Sequence, residues 1–518
     1  MQVFVSGPMG SGKSSVAPRV AGALGVTYVD LDAEVTKALG MGIAEYFRAH
    51  GEASFRGVEA RVLGELLDRP GPRVVALGGG TVTNAALRRR LLAEGVLVTL
   101  MAPAENLAAR VGRDPGRPLL GGRAPVDALG AILRERASAY AECHGVVPVA
   151  DRPVDAVASD VIALAKRNPV AVPLGARTYA IDVGRGVRRR VVDCAAGASA
   201  VLVVADTRTR EPWGREVATA PFGVPVASIA LEAGEVHKHL GSVERIWDAA
   251  LDLPVDRHAL LVAVGGGVVG DVTGFAASTV MRGVAFGQVP TTVVAMVDSA
   301  VGGKTGIDRV QGKNLVGTFH QPRFVLADVE ALTTLPVEER AAGLAEVVKS
   351  AWLDGEASVA LVEARAEALR RGDLDAFVDV IRMSVALKAR IVSEDETESG
   401  PRMLLNLGHT VGHALEAGSG YALRHGEAVA LGMVAAFRVA RSLGHSVDSH
   451  EARMIRLLGA LGLPTDLDAQ RPVDHLDYIR VDKKRVGKGV RFVLPGAPGT
   501  TEIQTISAES VASAVVRP

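Results

Sequence analysis

A glycine-rich turn that carries a lysine stands close to the start of the chain. Residues 7–14 read GPMGSGKS and match the pattern G-x-x-x-x-G-K-[ST]. A short strand-like run precedes this turn and a helical pattern follows it, which is the context that a phosphate-binding loop requires. In such a loop the backbone N–H groups wrap nucleotide phosphates, Lys13 reaches the terminal phosphates and Ser14 ligates Mg²⁺. The motif predicts a nucleotide site, but it does not say which group accepts the phosphate.

Candidate residues for binding an acceptor follow downstream. Asp30-Leu31-Asp32 comes after a strand-like run, and we expect an extended segment that turns both carboxylates to one side. Such a pair suits a Mg²⁺ shell and a substrate hydroxyl. The other candidates are several arginines and one glycine triplet, although a single arginine is more often a surface residue. They are Arg56 with Glu59, the glycines 78–80, Arg113 with Arg117 in a stretch that suits a lid, and Arg136.

A second set of candidates lies between positions 265 and 314. Gly265, Gly267 and Gly270 form G-x-G-x-x-G after a strand-like run, which alone is a weak dinucleotide signal. The turn lies roughly ninety residues into its region, whereas an ordinary dinucleotide-binding domain carries it after the first strand. Lys304 and Lys313 have glycine-rich flanks, which favours a binding site for an anionic, oxygen-rich ligand over two surface lysines.

Histidines and one carboxylate form a candidate metal site farther on. His409 and His413 stand at i and i+4 and share one helix face. The pair resembles the H-E-x-x-H of zinc proteases, but Thr410 stands where their general base would be. Glu346, His409 and His425 offer a carboxylate and two imidazoles, and three protein ligands leave open positions for a catalytic Zn²⁺.

The elements that must position these residues fall into two α/β regions. In the first 165 residues, strands predicted at 2–6, 27–29, 73–77 and 96–101 alternate with helices at 14–24 and 86–94. This alternation predicts a parallel sheet with flanking helices. The punctuation Asn168-Pro169 and Pro173-Leu174-Gly175 predicts a linker over 167–175.

The second region changes character partway along. Strands are predicted at 200–206 and 259–264, whereas helices dominate beyond 335, for example at 337–352 and 427–443. A hairpin is expected at 479–494. The expected organisation is therefore a kinase-like domain at 1–166, the linker, an α/β domain at 176–334 and a mostly helical domain at 335–518.

Length and composition describe an ordinary globular protein. The chain has 518 residues, and 58 Lys and Arg balance 58 Asp and Glu. Length suggests about three domains, and zero net charge argues against bulk attraction to nucleic acid or membrane. Two cysteines without metal spacing fit a reducing compartment. With no membrane-length apolar run and no leader pattern, we expect a cytoplasmic protein.

The blocks D-x-D, F-R-x-x-E, G-G-G and R-P-L-L in residues 1–165 resemble those of shikimate kinase, which has a fold like that of nucleoside-monophosphate kinases. The resemblance implies contacts with ATP and Mg²⁺ from Gly10, Ser11, Gly12, Lys13, Ser14, Ser15, Asp30 and Arg117, with Ser14 on the metal. It implies that shikimate contacts Asp32, Arg56, Gly79, Gly80 and Arg136.

The same resemblance implies roles for two of these residues. Asp32 would take the proton of the accepting hydroxyl, and Arg117 would meet the charge that develops on the ATP phosphates. The segment 33–40 lacks the family's usual Arg-Thr-Gly, and residues 137–140 read ASAY where APLY is common. A kinase of another small hydroxylated acid, such as gluconate, is the alternative.

From about 174 to 499 the chain resembles 3-dehydroquinate synthase. It carries, in the family's order, the blocks G-G-G-V-V-G-D, P-T-T, G-G-K-T-G, G-K-N-L, A-E-V-x-K and N-L-G-H-T-x-G-H-A-x-E. This family converts 3-deoxy-D-arabino-heptulosonate 7-phosphate to 3-dehydroquinate and phosphate, with catalytic NAD and a divalent metal, usually Zn²⁺ or Co²⁺. The resemblance implies an NAD-binding α/β half and a helical half that binds metal and substrate.

Carried over position by position, the resemblance assigns three sets of residues. The NAD set is Asp206, Glu235, Lys238, Gly266, Gly267, Val268, Asp271, Thr291, Thr292 and Lys313. The metal set is Glu346, His409 and His425. The heptulosonate-phosphate set is Arg282, Asp298, Lys304, Asn314, Lys349, Lys388, Arg402, Asn406, His413 and Lys484. Lys304, Lys349, Lys388, Glu398 and His413 would be catalytic, Glu398 by orienting its neighbours and His413 by assisting proton transfer.

Some alternatives remain open from the sequence. Ala300, Asp308 and the residues after Lys349 depart from the synthase pattern, which leaves room for sister cyclases that make amino-dehydroquinate or deoxy-inosose. A metal-dependent polyol dehydrogenase with net NADH production is more distant. One half could also be an inactive scaffold. The expected partners are the small-molecule substrates and a second copy of the chain bound through the synthase half, without nucleic acid or membrane.

Overall fold

A computed structural model describes residues 1–111, 124–420, 422–470, 485–486 and 489–515. The chain divides into two compact units, Met1–Ala180 and Ile181–Pro518. Among the described residues, no helix is both long and apolar enough to cross a bilayer.

The first unit is built on a five-stranded parallel sheet of order β2-β3-β1-β4-β5. Val3 and Val5 of β1 enter the apolar core on one face of the sheet, and Phe4 enters the core on the other. Burial on both faces explains the continuous apolar runs in these strands. The strands are β1 (Gln2–Ser6), β2 (Thr27–Asp30), β3 (Arg73–Ala76), β4 (Val96–Met101) and β5 (Gly145–Pro148).

Helices cover both faces of this sheet and carry candidate residues at their ends. They are α1 (Lys13–Leu24), α2 (Leu31–Leu39), α3 (Ile43–Leu67, with a break at Gly51), α4 (Ala85–Glu94), α5 (Ala104–Val111), α6 (Pro125–Glu135), α7 (Ala137–Ala141) and α8 (Val154–Arg167). Because the strands are parallel, the segments that follow β1, β2 and β3 meet at one edge, where ligands bind in open α/β sheets.

The second unit begins with a further sheet in which the strand order is β7-β14-β11-β10-β8-β9. The glycine-rich turn follows β10, a central strand that pairs in parallel with β8 and β11. The short strand β6 (Val170–Val172) precedes this unit. The strands that follow are β7 (Tyr179–Gly184), β8 (Val201–Asp206), β9 (Val226–Leu231), β10 (Leu260–Gly265), β11 (Ala285–Pro290), the antiparallel ribbon β12 (Lys304–Arg309) and β13 (Gly312–Phe319), and β14 (Phe324–Asp328).

The first four helices of this unit lie between its strands, and the residues beyond β14 are mostly helical. The helices are α9 (Val191–Cys194), α10 (Arg215–Ala218), α11 (Leu240–Leu251), α12 (Gly267–Thr279), α13 (Val337–Asp354), α14 (Glu356–Arg371), α15 (Leu374–Glu394), α16 (His409–Gly418), α17 (His425–Ser442), α18 (Asp448–Ala460) and α19 (Ala508–Val515). A last antiparallel sheet contains β15 (Arg485–Val486), β16 (Gly489–Pro495) and β17 (Thr501–Ser507).

The packing of α16 on α17 brings the candidate histidines together. A Cβ added at Gly432 would lie 1.9 Å from the carbonyl oxygen of Gly408, so only glycine permits this approach. His409 begins α16 and His425 begins α17. The close crossing packs the first turn of α16 against the first two turns of α17, and the ring centroids of His409 and His425 lie 5.4 Å apart.

Most predicted elements are confirmed, and one local prediction is wrong. The strands predicted at 2–6 and 96–101 match β1 and β4, and the predicted helices are displaced by at most two residues at either end. Asp30 and Asp32, however, do not share an extended segment. Asp30 caps α2 by accepting the N–H groups of Asp32 and Ala33, which places Asp32 inside the helix. The expected linker contains the short strand β6, and the expected hairpin lies partly outside the described residues.

Candidate functional sites

The phosphate-binding loop occupies the turn between β1 and α1. Gly7 has φ of 143°, and a Cβ there would lie 2.4 Å from the carbonyl oxygen of Leu100, so the turn needs glycine. Lys13 Nζ donates to the carbonyl oxygens of Gly7 and Pro8, at 2.8 and 3.0 Å. The rest of the predicted loop and the first turn of α1 contain Gly10, Ser11, Gly12, Ser14 and Ser15. The lysine is thus folded over the loop that would hold the phosphates.

A buried carboxylate holds Arg56 on the acceptor side of this loop. Glu59 is 2% exposed, and its Oε2 accepts a hydrogen bond of 2.8 Å from Arg56 Nη1. Its Oε1 accepts the hydroxyl of Thr81 at 2.8 Å. Its place in the block F-R-x-x-E does not by itself predict this role. The signal that could have revealed the role is its i, i+3 spacing from Arg56 on one helix.

Asp32 faces the same space. Burial raises the pKa of the Asp32 carboxyl, and the nearby carboxylates of Asp30 and Glu59 raise it further. A Cβ added at Gly78 would lie 3.1 Å from Asp32 Oδ1, so the carboxylate sits directly against the glycine triplet. This environment favours proton uptake by Asp32, which suits a general base.

The glycine triplet and Arg136 complete the arrangement. Arg136 Nη1 donates to the carbonyl oxygen of Gly79 at 3.3 Å, and Tyr140 Oη donates to the same oxygen. A Cβ at Gly80 would lie 2.1 Å from Arg56 Nη2. The structure therefore brings together Asp32, Arg56, Gly79, Gly80 and Arg136. Arg113 and Arg117 lie outside the described residues.

The candidate metal ligands converge in the second unit. One ligand atom from each of Glu346, His409 and His425 lies within 4.8 Å of the others. The Nε2 atoms of His409 and His425 are 3.4 and 3.3 Å from Glu346 Oε1. His413 and Glu416 form a second group with His425, within the same limit.

The chemistry of these residues fits a divalent cation. Both oxygens of Glu346 are buried without a well-formed hydrogen bond, although Lys349 Nζ and the two imidazoles approach them. Burial and the Lys349 ammonium lower the pKa of His409, which leaves a neutral imidazole ready to bind metal. Burial opposes the charge of His425, but Glu346 and Glu416 raise its pKa to about 10, so a bound metal would displace a proton there.

Two buried lysines and an aspartate stand beside this cluster. Lys349 is 2% exposed and pairs with Glu346, and Lys388 Nζ donates to the backbone oxygen of Asp298 at 2.5 Å and to its carboxylate. Burial lowers the pKa of Lys388 to about 8, despite the nearby Asp298 carboxylate. Burial would raise the pKa of Asp298, but Lys388 and Lys349 hold it below its usual value. Alternating charges of this kind suit a ligand with several oxygens.

Other candidate residues surround the same region. Lys304 Nζ pairs with Glu398, which also accepts Asn406 Nδ2 at 3.2 Å. Glu398 has φ of 61°, a conformation that non-glycine residues rarely adopt and that is often found at functional sites. Arg402 is 2% exposed and donates to the carbonyl oxygen of Gly302 at 3.0 Å. Arg402 therefore supports the backbone of the glycine-rich segment.

The candidate NAD residues lie at the carboxyl edge of the sheet. Gly266 caps α12 and Gly267 and Val268 begin it, which gives a helix N-terminus suited to a pyrophosphate. Lys238 Nζ donates to Asp271 Oδ2 and to Asn314 Oδ1, both at 2.6 Å. The other candidates are Asp206, which ends β8, Thr291 and Thr292 after β11, and Glu235, whose Oε1 lies 3.6 Å from Lys313 Nζ.

One residue of the predicted heptulosonate-phosphate set, Arg282, is not brought to this site. Arg282 follows the C-terminal end of α12, about 20 Å along the helix from Gly267 at 1.5 Å per residue. Lys484 lies outside the described residues. Within one chain, Arg282 is therefore at the wrong end of α12 to reach the cluster.

The two arrangements suit different chemistry. The first places a phosphate-binding loop beside a raised-pKa carboxylate and two guanidinium groups, which suits phosphoryl transfer to a small anionic alcohol. The second places a candidate metal triad, paired lysines and a dinucleotide-type helix N-terminus together. It suits redox and elimination chemistry on an anionic, hydroxylated substrate.

Models of known protein families match the parts of the chain that contain these two sites. The shikimate kinase family model matches residues 9–166. The models of the N-terminal and C-terminal parts of 3-dehydroquinate synthase match residues 228–342 and 343–485.

Several solved structures are similar to parts of the chain. A 2-deoxy-scyllo-inosose synthase, complexed with carbaglucose-6-phosphate, NAD⁺ and Co²⁺, is 26% identical with a TM-score of 0.60, covering 67% of this chain and 99% of that one. The 2-epi-5-epi-valiolone synthase of Streptomyces hygroscopicus, with NAD⁺ and Zn²⁺ bound, is 26% identical with a TM-score of 0.56, covering 65% and 95%. Shikimate kinase from Acinetobacter baumannii, in complex with shikimate, is 34% identical over 32% of this chain and 91% of that one, with a TM-score of 0.31.

The family matches extend over the residues of both sites, apart from Gly7 and Pro8 of the phosphate-binding loop and Asp206 of the candidate NAD set. The chain belongs to the shikimate kinase family in its first unit and to the 3-dehydroquinate synthase family in its second, and so joins a kinase to a phosphate-eliminating lyase.

Proposed function

We propose that the first unit transfers the terminal phosphate of ATP to shikimate and forms shikimate 3-phosphate. The observation that carries this proposal is the convergence of Asp32, Arg56 and Arg136 beside the phosphate-binding loop. Two guanidinium groups recognise a carboxylate well. Asp32 is positioned to take the proton of the attacking hydroxyl, and Lys13 to contact the phosphates.

Magnesium would enter this site with ATP. Ser14, in the first turn of α1, is the residue expected on the metal, and Asp30 would support its shell. Asp30 caps α2 and lies at the same sheet edge as the phosphate-binding loop, which supports that assignment. When bound, Mg²⁺ would neutralise charge on the phosphate oxygens.

The kinase proposal is tested with Asp32→Asn in the full chain. We expect kcat for shikimate phosphorylation to fall by about 100-fold or more, with little change in the KM for ATP, because a general base is lost. Asp68→Asn, at an exposed carboxylate that pairs with Arg90, is the matched control. Undiminished turnover by Asp32→Asn would remove Asp32 from the reaction, and absence of turnover by the parent chain would refute the kinase assignment.

We propose that the second unit converts 3-deoxy-D-arabino-heptulosonate 7-phosphate to 3-dehydroquinate and phosphate. The observation that carries this proposal is the cluster of Glu346, His409 and His425 beside Lys349 and Lys388. The substrate is at once a carboxylate and a phosphate, so it needs several cations. Zn²⁺ or Co²⁺ would bind the triad, and NAD would bind at the N-terminus of α12.

The chain's own residues then bind, orient and exchange protons. When bound, NAD would accept and return a hydride, and the metal would polarise substrate oxygens. Lys349 and Lys388 would each exchange a carboxylate partner of the protein for an anionic group of the substrate. Lys388, with its lowered pKa, can hold or release a proton near neutral pH. Glu398 would orient Lys304 and Asn406, and His413 would assist proton transfer.

A sister cyclase reaction is the second candidate. It is favoured by the two similar structures, which are synthases of deoxy-inosose and of valiolone type. A panel of purified sugar phosphates separates the two reactions. Turnover of the heptulosonate 7-phosphate, without turnover of glucose 6-phosphate, supports the dehydroquinate reaction, and the reverse supports the sister reaction.

We also propose that the synthase half acts as a homodimer. The resemblance implies that Arg282 contacts substrate, whereas one chain leaves it at the far end of α12. A second copy could supply that residue. Light scattering of the purified chain would show a mass of twice 53.8 kDa if this is correct and of 53.8 kDa if it is not. We propose that the domains of the chain end at residues 166 and 334, with a linker at 167–175; residue 334 lies between β14 and α13.

A further inference from the structure

Glu416 is a buried carboxylate with no role in the predicted sites. It is the last residue of the N-L-G-H-T-x-G-H-A-x-E block, and it lies on α16 with 8% of its surface exposed. A carboxylate rarely lies buried unless it is paired. Both of its oxygens are engaged, each by a different part of the second unit.

One oxygen of Glu416 faces the ring of His425. Glu416 Oε2 lies 3.3 Å from His425 Nδ1, while His425 Nε2 lies 3.3 Å from Glu346 Oε1. The imidazole is therefore held between two carboxylates, one on each nitrogen. A hydrogen bond from Nδ1 to a carboxylate fixes the orientation of the ring and keeps a proton on Nδ1 when a metal takes the place of the proton on Nε2, as in many carboxylate–histidine–metal arrangements.

The other candidate histidine ligand is fixed differently. His409 Nδ1 lies 3.2 Å from the backbone oxygen of Leu407, two residues earlier in the chain. That partner is part of the local backbone and carries no charge. The ring nitrogen that faces away from Glu346 therefore contacts a charged side chain in His425 and a backbone carbonyl in His409.

The further contact of Glu416 leads to the dinucleotide side of the site. Glu416 Oε1 accepts a hydrogen bond of 3.0 Å from Lys313 Nζ, at the start of β13. The same ammonium lies 3.6 Å from Glu235 Oε1. Lys313 and Glu235 both belong to the residues proposed to contact NAD. A continuous series of charged contacts thus joins that set to His425.

We propose that Glu416 is a positioning residue that fixes the His425 ring for metal binding and, through Lys313, makes metal affinity depend on NAD. This inference rests on the proposed synthase function. A ligand that orders Lys313 also orders Glu416 and His425, so the second ligand has less to order and binds more tightly. The effect is reciprocal: NAD raises metal affinity by the factor by which metal raises NAD affinity.

The test measures Zn²⁺ affinity of the full chain by competition with a chromophoric chelator, without substrate, with and without NAD. We expect Glu416→Gln to weaken Zn²⁺ binding by about 10- to 100-fold and to change the visible spectrum of bound Co²⁺. For Lys313→Met, NAD affinity is measured first and NAD is then added at a saturating concentration; under these conditions the variant should lose the increase in Zn²⁺ affinity that NAD causes in the parent. Glu363→Gln, which removes an exposed ion pair with Arg453, is the matched control and should behave like the parent.

The outcomes separate this inference from the function on which it rests. Parent-like Zn²⁺ affinity and Co²⁺ spectrum in Glu416→Gln would overturn the positioning role. The coupling would be overturned if NAD did not raise Zn²⁺ affinity in the parent, or if it still raised it in Lys313→Met. If the folded parent binds neither Zn²⁺ nor NAD, the synthase proposal itself fails. Lys313→Met keeps the test decisive should Glu416→Gln fold poorly.

Discussion

Glu346 is the side chain around which the second site is organised. It is 1% exposed, it faces both candidate histidine ligands and it balances the buried ammonium of Lys349. Its oxygens have no well-formed hydrogen bond in the described part of the chain. A carboxylate in such surroundings is stabilised by cations, and a divalent metal would be the strongest of them.

Glu346→Gln tests this role. The change removes one metal ligand and leaves Lys349 without its nearest counter-charge, so we expect loss of tightly bound zinc and about 3 kcal/mol of destabilisation. Metal content after dialysis and urea unfolding measure the two effects, and shikimate phosphorylation serves as the internal control. Stoichiometric zinc in the variant would contradict the proposed ligand set.

Gly80 tests the acceptor site in the same way. A methyl group at this position would displace the Arg56 guanidinium, since a Cβ would lie 2.1 Å from Nη2. We expect Gly80→Ala to raise the KM for shikimate by about 10-fold while leaving the KM for ATP unchanged, because one carboxylate contact is weakened. Gly64→Ala, where the nearest atom is 3.8 Å away, is the control. An unchanged KM for shikimate would show that Arg56 does not bind it.

Residue spacing revealed some of these side chains and missed others. The triad of Glu346, His409 and His425 could be proposed because histidines and carboxylates are few and their chemistry is specific. The roles of Glu59 and Glu416 cannot be predicted in this way, because a buried carboxylate that orients another side chain has no sequence pattern of its own. Its partner comes from the packing of the fold.

At the scale of elements, periodicity located strands and helices well but misjudged one cap. The pattern D-x-D at the end of β2 predicts an extended segment, whereas Asp30 ends the strand and caps α2. An aspartate competes for backbone N–H groups, and a helical pattern begins at the next residue. Whether Asp30 extends the strand or caps the helix depends on where β2 stops pairing with β3, and the sequence has no signal for that position.

His144 carries a pH-dependent part of the stability of the first unit. Its Nδ1 accepts the N–H of Leu97 at 2.9 Å, which requires the neutral ring, and burial lowers its pKa to about 4. The unfolded chain takes up this proton below about pH 6.5, whereas the folded chain does so only near pH 4. We expect the stabilisation to be complete above pH 6.5 and to fall by about 3 kcal/mol as the pH drops towards 4.

Urea midpoints for loss of kinase activity at pH 7 and pH 5 measure this dependence. His144→Gln keeps an acceptor for Leu97 but cannot titrate, so its midpoint should fall less between the two pH values. Equal shifts in the parent and in His144→Gln would assign the acid sensitivity to other groups.

At the scale of the molecule, two family units share one chain. The order of motif blocks along the sequence was sufficient to predict the fusion, because each block is long and specific. It could not reveal that Arg282 lies at the opposite end of α12 from Gly267, since the length and direction of that helix decide its position. The two proposed reactions are not consecutive, so we expect either site to work when the other is disabled.

The most direct test of the central claim is phosphate release from 3-deoxy-D-arabino-heptulosonate 7-phosphate by the purified full chain, with NAD and Zn²⁺ and again after chelation. We expect one phosphate and one 3-dehydroquinate per turnover, no net NADH, loss of activity on chelation and shikimate phosphorylation that persists without zinc. No phosphate release from folded, zinc-loaded protein, or release without dehydroquinate, would contradict the claim.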